Sequence, residues 1–295
     1  MNKAHFNEIN ILKALAIMLV VSGHLEFSIF GMFPPYSFQL SLFFFISGYL
    51  FKDKYLDNVA EFMDKRIKSL LVPYFWYNLF YLGVTIFIAK LTGKFWGMPI
   101  TAVTPLTLVV IRTLMSVFFV YLGYFYVHHI KDNYNIFTPK WAGIMITLQS
   151  ILWLFNRDFD PVHGIGLSFV LVWARFDQQL IVPILTSITG IWASLFTVKL
   201  LYPYLKDIKF LQDMGNVTYH IMANHLLVMY IITAILLKIN GIPMSERLNH
   251  NIYWIYDPVQ TTYLYFVLTM VITTYIGVLQ KKAKQKLLDP ILEKK

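Results

Sequence analysis

Lys13 and His24 are two ionisable residues inside an otherwise apolar segment near the start of the chain. At about 100° per residue, the eleven steps between them come within about 20° of three full turns, so a helix places both side chains on one face. At about 1.5 Å per residue they lie about 16 Å apart along the helix axis. Ionisable groups within a membrane helix are functional candidates. The pair therefore predicts the two ends of one site, with a histidine suited to proton transfer near neutral pH.

Each of these residues also has a structural interpretation. Lys13 lies only a few residues from the start of the apolar segment, so its side chain could extend to the lipid headgroups. His24 could be a hydrogen-bonded polar group near the opposite membrane surface.

The composition places the chain among integral membrane proteins. Of its 295 residues, 57% are hydrophobic, 17% are aromatic and 14% are charged, and the mean hydropathy is +0.57. The absence of cysteine excludes disulfides, thiolate nucleophiles and thiolate metal ligands. The formal charge of +9 is explained by membrane topology, so no nucleic-acid partner is expected.

Apolar stretches predict an all-α integral membrane fold, a polytopic bundle of about eight transmembrane helices in a single domain, residues 1–295. The first apolar stretch is predicted to be retained, because no small-residue cleavage site follows it. A short apolar piece at 164–176 resembles a half-helix. Lysine and arginine placement favours two cytoplasmic termini in a multi-pass protein of the cytoplasmic (inner) cell membrane. The predicted spans are 9–30, 38–51, 69–90, 105–130, 140–156, 180–201, 217–238 and 259–280.

Three blocks together resemble the membrane-bound acyltransferase 3 family. They are the Lys13-to-His24 pair, the Phe-rich Ser-Gly segment 42–51, and the basic loop that runs into Pro-Tyr over 64–76. A weaker fourth block, 215–225, ends in His225. The family has arginine where this chain has Lys13, which keeps the charge and loses the bidentate fork. Its sugar O-acetylases are the members that this chain resembles.

The resemblance implies transfer of an acyl group, usually acetyl, from a cytoplasmic acyl-CoA to a hydroxyl of a surface or exported polysaccharide or its lipid-linked precursor. The implied partners are acetyl-CoA or another acyl-CoA, a glycan or lipid-linked glycan acceptor, and the bilayer. No permanently bound cofactor is expected. His24 would be the general base that takes the acceptor's proton, and Lys13 would hold a phosphate, a pantetheine carbonyl or a partner carboxylate on the donor side.

Other candidates surround this pair. Arg66 and Lys68, in the basic loop, are donor-binding candidates, although ordinary positive-inside topology also explains them. Tyr74 is a candidate for a donor-channel wall or an interface aromatic. Ser47, beside Gly48, is a donor-side candidate that small-residue helix packing explains equally well.

The acceptor side has four candidates. Arg112 is a second charge within a predicted span; it could orient the acceptor or pair with Glu26. Asp158 and Asp160 lie in a polar outer segment that is also typical of a solvated loop. His225 could face the same cavity as His24 or make a packing hydrogen bond between helices.

No metal is expected, because the sequence has no His or carboxylate cluster at ligand spacing. A transporter or exporter of glycan precursors is the alternative function, in which the same charges line a pathway without acyl transfer. An inactive relative that assists a synthesis complex is a third hypothesis.

Overall fold

The computed structural model describes residues 3–92, 106–156, 181–248, 250 and 253–292. Twelve α-helices account for most of these residues, and two five-residue π-turns, Ile67–Leu71 and Tyr126–Ile130, follow α4 and α6. The helices are α1 Lys3–His24, α2 Gln39–Tyr49, α3 Lys54–Asp57, α4 Val59–Arg66, α5 Val72–Thr92, α6 Leu106–Phe125, α7 Pro139–Asn156, α8 Ile181–Leu205, α9 Lys209–Asn216, α10 Thr218–Ile239, α11 Ser245–Leu248 and α12 Pro258–Leu292.

Six stretches of the described chain are long and apolar enough to cross a membrane. The all-helical membrane architecture is therefore confirmed. The second predicted span, expected to be short, is the eleven-residue α2, and the fifth corresponds to α7. Eight spans and two cytoplasmic termini stay predictions, and the half-helix at 164–176 lies outside the described residues. The six stretches are Phe6–His24, Val59–Phe87, Thr113–Ile130, Ile181–Leu205, Thr218–Ile239 and Pro258–Ala283.

Helix α1 lies at the centre of the bundle. Apolar residues on one side of it, such as Leu12 and Leu19, pack with residues of α2, α6 and α8. Residues on the other side, such as Ile17 and Val21, pack with α9, α10 and α12. A helix that is apolar on all sides is expected in this position. His24, at its last turn, is therefore anchored by the most buried of the six candidate membrane spans.

Three glycines allow two close helix contacts in this core. A Cβ on Gly48 of α2 would lie 1.7 Å from the carbonyl oxygen of Val120 in α6. Across the same contact, a Cβ on Gly123 would lie 2.0 Å from the carbonyl oxygen of Phe45. Gly215 of α9 meets the backbone of α1 in the same way, since its Cβ would lie 2.0 Å from the Asn10 oxygen. The packing interpretation of Gly48 is thus confirmed: the backbones approach closely because no side chain intervenes.

Helices α4 and α5 form a long, nearly unbroken rod at the edge of the bundle. The sequence predicted a span that starts near residue 69, whereas the helical run begins at Val59. Pro73 explains the intervening π-turn Ile67–Leu71, because proline has no N–H to donate and its ring displaces the preceding turn. The wider π-turn accommodates the proline, so the helix continues past it instead of ending.

Candidate functional site

His24 lies at the end of α1 among three aromatic rings. The ring of Tyr253 stacks on it, with centroids 5.2 Å apart and planes within 3° of parallel. The ring of His225 in α10 lies 4.9 Å away, and that of Tyr36 stands edge-on at 5.6 Å. The structure therefore brings together His24 and His225, two candidates separated by 201 positions in the sequence. This cluster, His24, Tyr36, His225 and Tyr253, is called the His24 cluster below.

Tyr36 reaches His24 through the turns that follow α1. The amides of Leu25 and Phe27 both donate to the Ser22 carbonyl, and Glu26 has a left-handed backbone with φ of 58°. The chain then returns, so the Tyr36 hydroxyl lies 3.1 Å from Nδ1 of His24. Burial raises the pKa of this tyrosine above its ordinary value, so the hydroxyl stays neutral at physiological pH.

The Tyr36 contact makes two tautomers of His24 available. If Nδ1 carries the hydrogen, it donates to the tyrosine oxygen and Nε2 keeps its lone pair. If the tyrosine donates instead, Nε2 carries the hydrogen. Among the described residues, Nε2 has no hydrogen-bond partner, so it is open to a substrate in either form.

His225 has a tautomer that its surroundings define. Its Nδ1 lies 2.7 Å from the carbonyl oxygen of Met222 and 3.2 Å from that of Ile221. Because both neighbours are acceptors, Nδ1 must donate and therefore carries the hydrogen. In the neutral ring the lone pair is then on Nε2, which is buried and has no hydrogen-bond partner in the described part of the chain. A buried acceptor without a donor, next to His24, indicates a place for a ligand group.

The segment between α10 and α12 holds Tyr253 against His24. Its anchor is Arg247, which is completely buried. The guanidinium lies 4.8 Å from the ring centre of Tyr230 and 5.9 Å from that of Trp254, and it also donates to the carbonyl oxygen of His250 at 3.4 Å. A buried arginine held in this way fixes the local backbone. Tyr253, next to Trp254, therefore has a defined position over the His24 ring.

Lys13 lies eleven residues before His24 on the same uninterrupted helix. The predicted separation of about 16 Å along the axis therefore applies. Lys13 is partly exposed, and Lys281 of α12 lies close enough for its charge to act on it. Two cations from different helices favour an anionic group at this end of α1.

The other donor-side candidates lie away from the His24 cluster. The Arg66 side chain is exposed on α4 and lies over the Phe62 ring at 5.1 Å. Lys68 is also exposed and pairs with Asp64 at 2.7 Å. Their roles stay predictions.

Ser47 and Tyr74 are both exposed. The Ser47 hydroxyl donates to the Phe43 carbonyl of its own helix at 3.0 Å. Tyr74 lines a cavity of about 270 Å³ between α5 and α10. One wall of this cavity carries Tyr77, whose hydroxyl contacts His220 at 2.8 Å.

The remaining acceptor candidates cannot be placed at the site. Arg112 belongs to α6, but its side chain is outside the described set. Asp158 and Asp160 lie outside the described residues.

Sequence reasoning missed Tyr36, Tyr253 and Lys281. Tyr36 and Tyr253 lie in turns, where neither periodicity nor a motif marks a side chain that returns to a helix end. A helical pattern places Lys281 at the end of the last span, but only the packing of α12 brings it near Lys13.

Comparison with known proteins identifies one segment of the chain. Residues 6–103 match the acyltransferase domain of the acyltransferase 3 family, which is the family that the sequence motifs indicated. The match covers about a third of the chain and contains Lys13, Tyr36 and His24. No curated protein and no solved structure matches the chain.

Proposed function

We propose, from the acyltransferase domain match at residues 6–103 and the His24 cluster, that this protein is a membrane O-acyltransferase. It transfers an acyl group, most simply acetyl, from cytoplasmic acyl-CoA to a hydroxyl of a surface or exported polysaccharide or its lipid-linked precursor. The observation that carries the proposal is the contact between His24, inside the matched segment, and His225, outside it. Two histidines with unoccupied nitrogens at one helix end suit proton transfer.

The reaction begins with His24 as the general base. Its Nδ1–H donates to the Tyr36 oxygen, which leaves the Nε2 lone pair available. Nε2 takes the proton of the acceptor hydroxyl as the oxygen attacks the thioester carbonyl. A tetrahedral intermediate forms; it then collapses as the carbon–sulfur bond breaks, and the imidazolium returns the proton to the departing thiolate. The products are the O-acylated glycan and free CoA.

His225 supports this cycle as a hydrogen-bond acceptor. Its Nε2 lone pair lies on a ring next to His24 and is buried. When His24 is protonated, its Nε2–H can donate to this lone pair until the proton passes to the departing thiolate.

The donor and acceptor approach from the two ends of α1. Lys13 and Lys281 hold a phosphate of the donor, and the exposed Arg66 and Lys68 attract the anionic donor to the membrane surface. Tyr253 is 48% exposed and stacked on His24. Its outer face can receive a sugar ring, because aromatic faces pack well against the C–H groups of sugars.

Labelled acetyl transfer tests this proposal. Membranes that contain the wild-type protein, His24→Ala or His129→Ala receive labelled acetyl-CoA and a glycan extract. We expect His24→Ala to lower transfer about 10²- to 10⁴-fold, the usual contribution of a general base. His129 is exposed at the end of α6, so His129→Ala serves as the matched control and retains activity. Undiminished transfer by His24→Ala would remove this residue from the mechanism.

A further inference from the structure

A second cavity, of about 380 Å³, lies away from the His24 cluster. It is called the boundary cavity here, and its lining includes Glu8, Tyr49, Tyr126, Lys131, Asp132 and Lys199. Glu8 precedes His24 by sixteen residues on α1, about 24 Å along the axis and about 160° around it. The boundary cavity is therefore at the opposite end and on the opposite face of α1.

The boundary cavity lies where apolar helices end. One candidate span ends at Ile130, directly before Lys131, and the apolar helix α2 ends at Tyr49. Lys199 lies near the end of a third apolar helix, α8. Ends of membrane helices lie at the level of the lipid headgroups. The backbone of the loop is fixed there, because the amides of Lys131 and Tyr134 donate to the carbonyls of Tyr126 and Ile130 at 2.8 and 2.9 Å.

Two lysines of the boundary cavity, Lys131 and Lys199, suit an anion. The Lys131 ammonium lies 5.0 Å from the ring centre of Tyr49, and the Lys199 ammonium lies 4.5 Å from that of Phe137. These rings hold both lysine side chains along the cavity wall. Two ammonium groups from separate elements are a suitable arrangement for a phosphate.

The two carboxylates of the boundary cavity, Glu8 and Asp132, suit a cation. The helix α2 and the π-turn after α6 end beside this lining, at Tyr49 and Ile130. The carboxyl ends of helices carry partial negative charge and favour a positive group. Tyr126 adds aromatic surface that also attracts an ammonium group, whereas the Tyr49 ring already carries the Lys131 ammonium.

The charges of this lining balance. Two lysines face two carboxylates, so the formal sum over Lys131, Lys199, Glu8 and Asp132 is zero. A polyanion such as a CoA nucleotide would gain from the lysines and lose against the carboxylates. A ligand that carries one phosphate and one ammonium offers a partner to both the lysines and the carboxylates.

We propose that the boundary cavity binds the headgroup of a zwitterionic phospholipid of the phosphatidylethanolamine type. The phosphate lies between Lys131 and Lys199, and the primary ammonium lies toward Glu8, Asp132 and the helix ends. The acyl chains extend into the bilayer beside the apolar helices. This site is independent of acyl transfer at His24.

Lipid retention by the purified full-length protein tests the proposal. The wild-type protein in detergent receives equal amounts of phosphatidylethanolamine, phosphatidylcholine and phosphatidylglycerol, and native mass spectrometry counts the lipids that stay bound. We expect phosphatidylethanolamine to be retained most, because its ammonium can donate hydrogen bonds to carboxylates, whereas a choline group cannot. Lys199→Glu should lower this retention about tenfold, the equivalent of about 1.4 kcal/mol.

Two further variants and two competitors keep the result interpretable. Lys206→Glu reverses an exposed lysine at the end of α8, outside the cavity lining, and should retain phosphatidylethanolamine as the wild type does. Glu8→Gln makes the lining net positive and should shift the preference toward phosphatidylglycerol. Soluble glycerophosphoethanolamine should compete weakly, whereas CoA should not compete.

Three outcomes would overturn the proposal: a wild-type preference for phosphatidylglycerol, displacement of the lipid by CoA, or equal retention by Lys199→Glu and the wild type. Displacement by CoA would instead assign the cavity to the acyl donor. None of these measurements depends on transferase activity, so failure of the acyl-transfer proposal would be seen separately, in the labelled-acetyl assay.

Discussion

The apolar stretches Phe6–His24 and Val59–Phe87 have the same mean hydropathy, 1.4, but different surroundings. In the first, 67% of the most apolar window is buried in the protein; in the second, only 6% is buried. Hydropathy indicates only that a helix can cross the membrane. It does not distinguish a helix that faces lipid from one inside the protein, because both surroundings are similarly apolar. What differs is side-chain size. The first stretch carries residues such as Ala14, Ala16 and Ser22, whereas the second carries large exposed aromatics such as Phe75 and Trp76.

This difference distinguishes α1, the buried helix that carries His24, from the α4–α5 rod, whose side chains face the surroundings of the protein. Small side chains allow neighbouring helices to approach α1, and that approach brings His225 and Tyr253 to His24. The exposed rod contacts the bundle through a few polar groups, such as the Tyr77 hydroxyl that bonds His220 and Gln280.

The largest predicted effect compares one glycine from each environment. Gly48→Ala should destabilise the protein by about 1–3 kcal/mol, because the new Cβ meets a backbone carbonyl at 1.7 Å and the helices must separate. Gly83→Ala, on the exposed rod, should leave stability unchanged or slightly raised, since nothing lies within 4 Å of its Cβ position and alanine favours helix. Thermal unfolding of the purified proteins in detergent measures both. Equal melting temperatures for the two variants would contradict the difference in packing.

The next effect compares two histidines on α10. His225→Leu should lower kcat for acyl transfer about tenfold to a hundredfold, about 1.4–2.7 kcal/mol, because it removes the lone pair next to His24. His220 bonds Tyr77 of the rod, so His220→Leu should change kcat less than about threefold. Steady-state kinetics with varied acyl-CoA separate kcat from KM. A larger kcat loss in His220→Leu than in His225→Leu would show that the contact of α10 with the rod matters more for catalysis than its contact with His24.

The smallest effect compares two cations that are proposed to contact the donor. Arg66→Ala should raise KM for acyl-CoA about twofold at low salt, and the effect should disappear at high salt, because exposed charges are screened. Lys13→Gln should raise KM about tenfold at both salt concentrations, since Lys13 is partly buried and its hydrogen bond to a phosphate is charge-assisted. A salt-independent KM change in Arg66→Ala would instead assign Arg66 a specific donor contact.

Residue spacing and apolar length predicted several helices of the bundle. The eleven-residue spacing of Lys13 and His24 was sufficient to place both on one helix, because α1 is regular from Lys3 to His24. The short α2 and the close approach at Gly48 also followed from composition. These features are local, and their causes are apolar length and side-chain size.

The composition of the His24 cluster could not be predicted in the same way. Tyr36 reaches His24 through turns that have positive φ at Glu26, Gly31 and Tyr36 itself, and Tyr253 reaches it from the segment after α11, where Arg247 is buried. His225 was a candidate from its motif, but its contact with His24 depends on how α10 packs against α1. The helical start at Val59 was missed because a proline usually ends a helix, and here a π-turn accommodates it.

Lys13 and Lys281 are two positive charges that act on each other across the α1–α12 contact. Two like charges from α1 and α12 are held within range of each other by the packing of the bundle, so each raises the free energy of the other. A phosphate between them would convert this repulsion into two attractions and add its binding energy to the folding free energy. If the proposed donor binds there, its binding and the stability of the α1–α12 contact are coupled, and the donor-bound protein should be the more stable one.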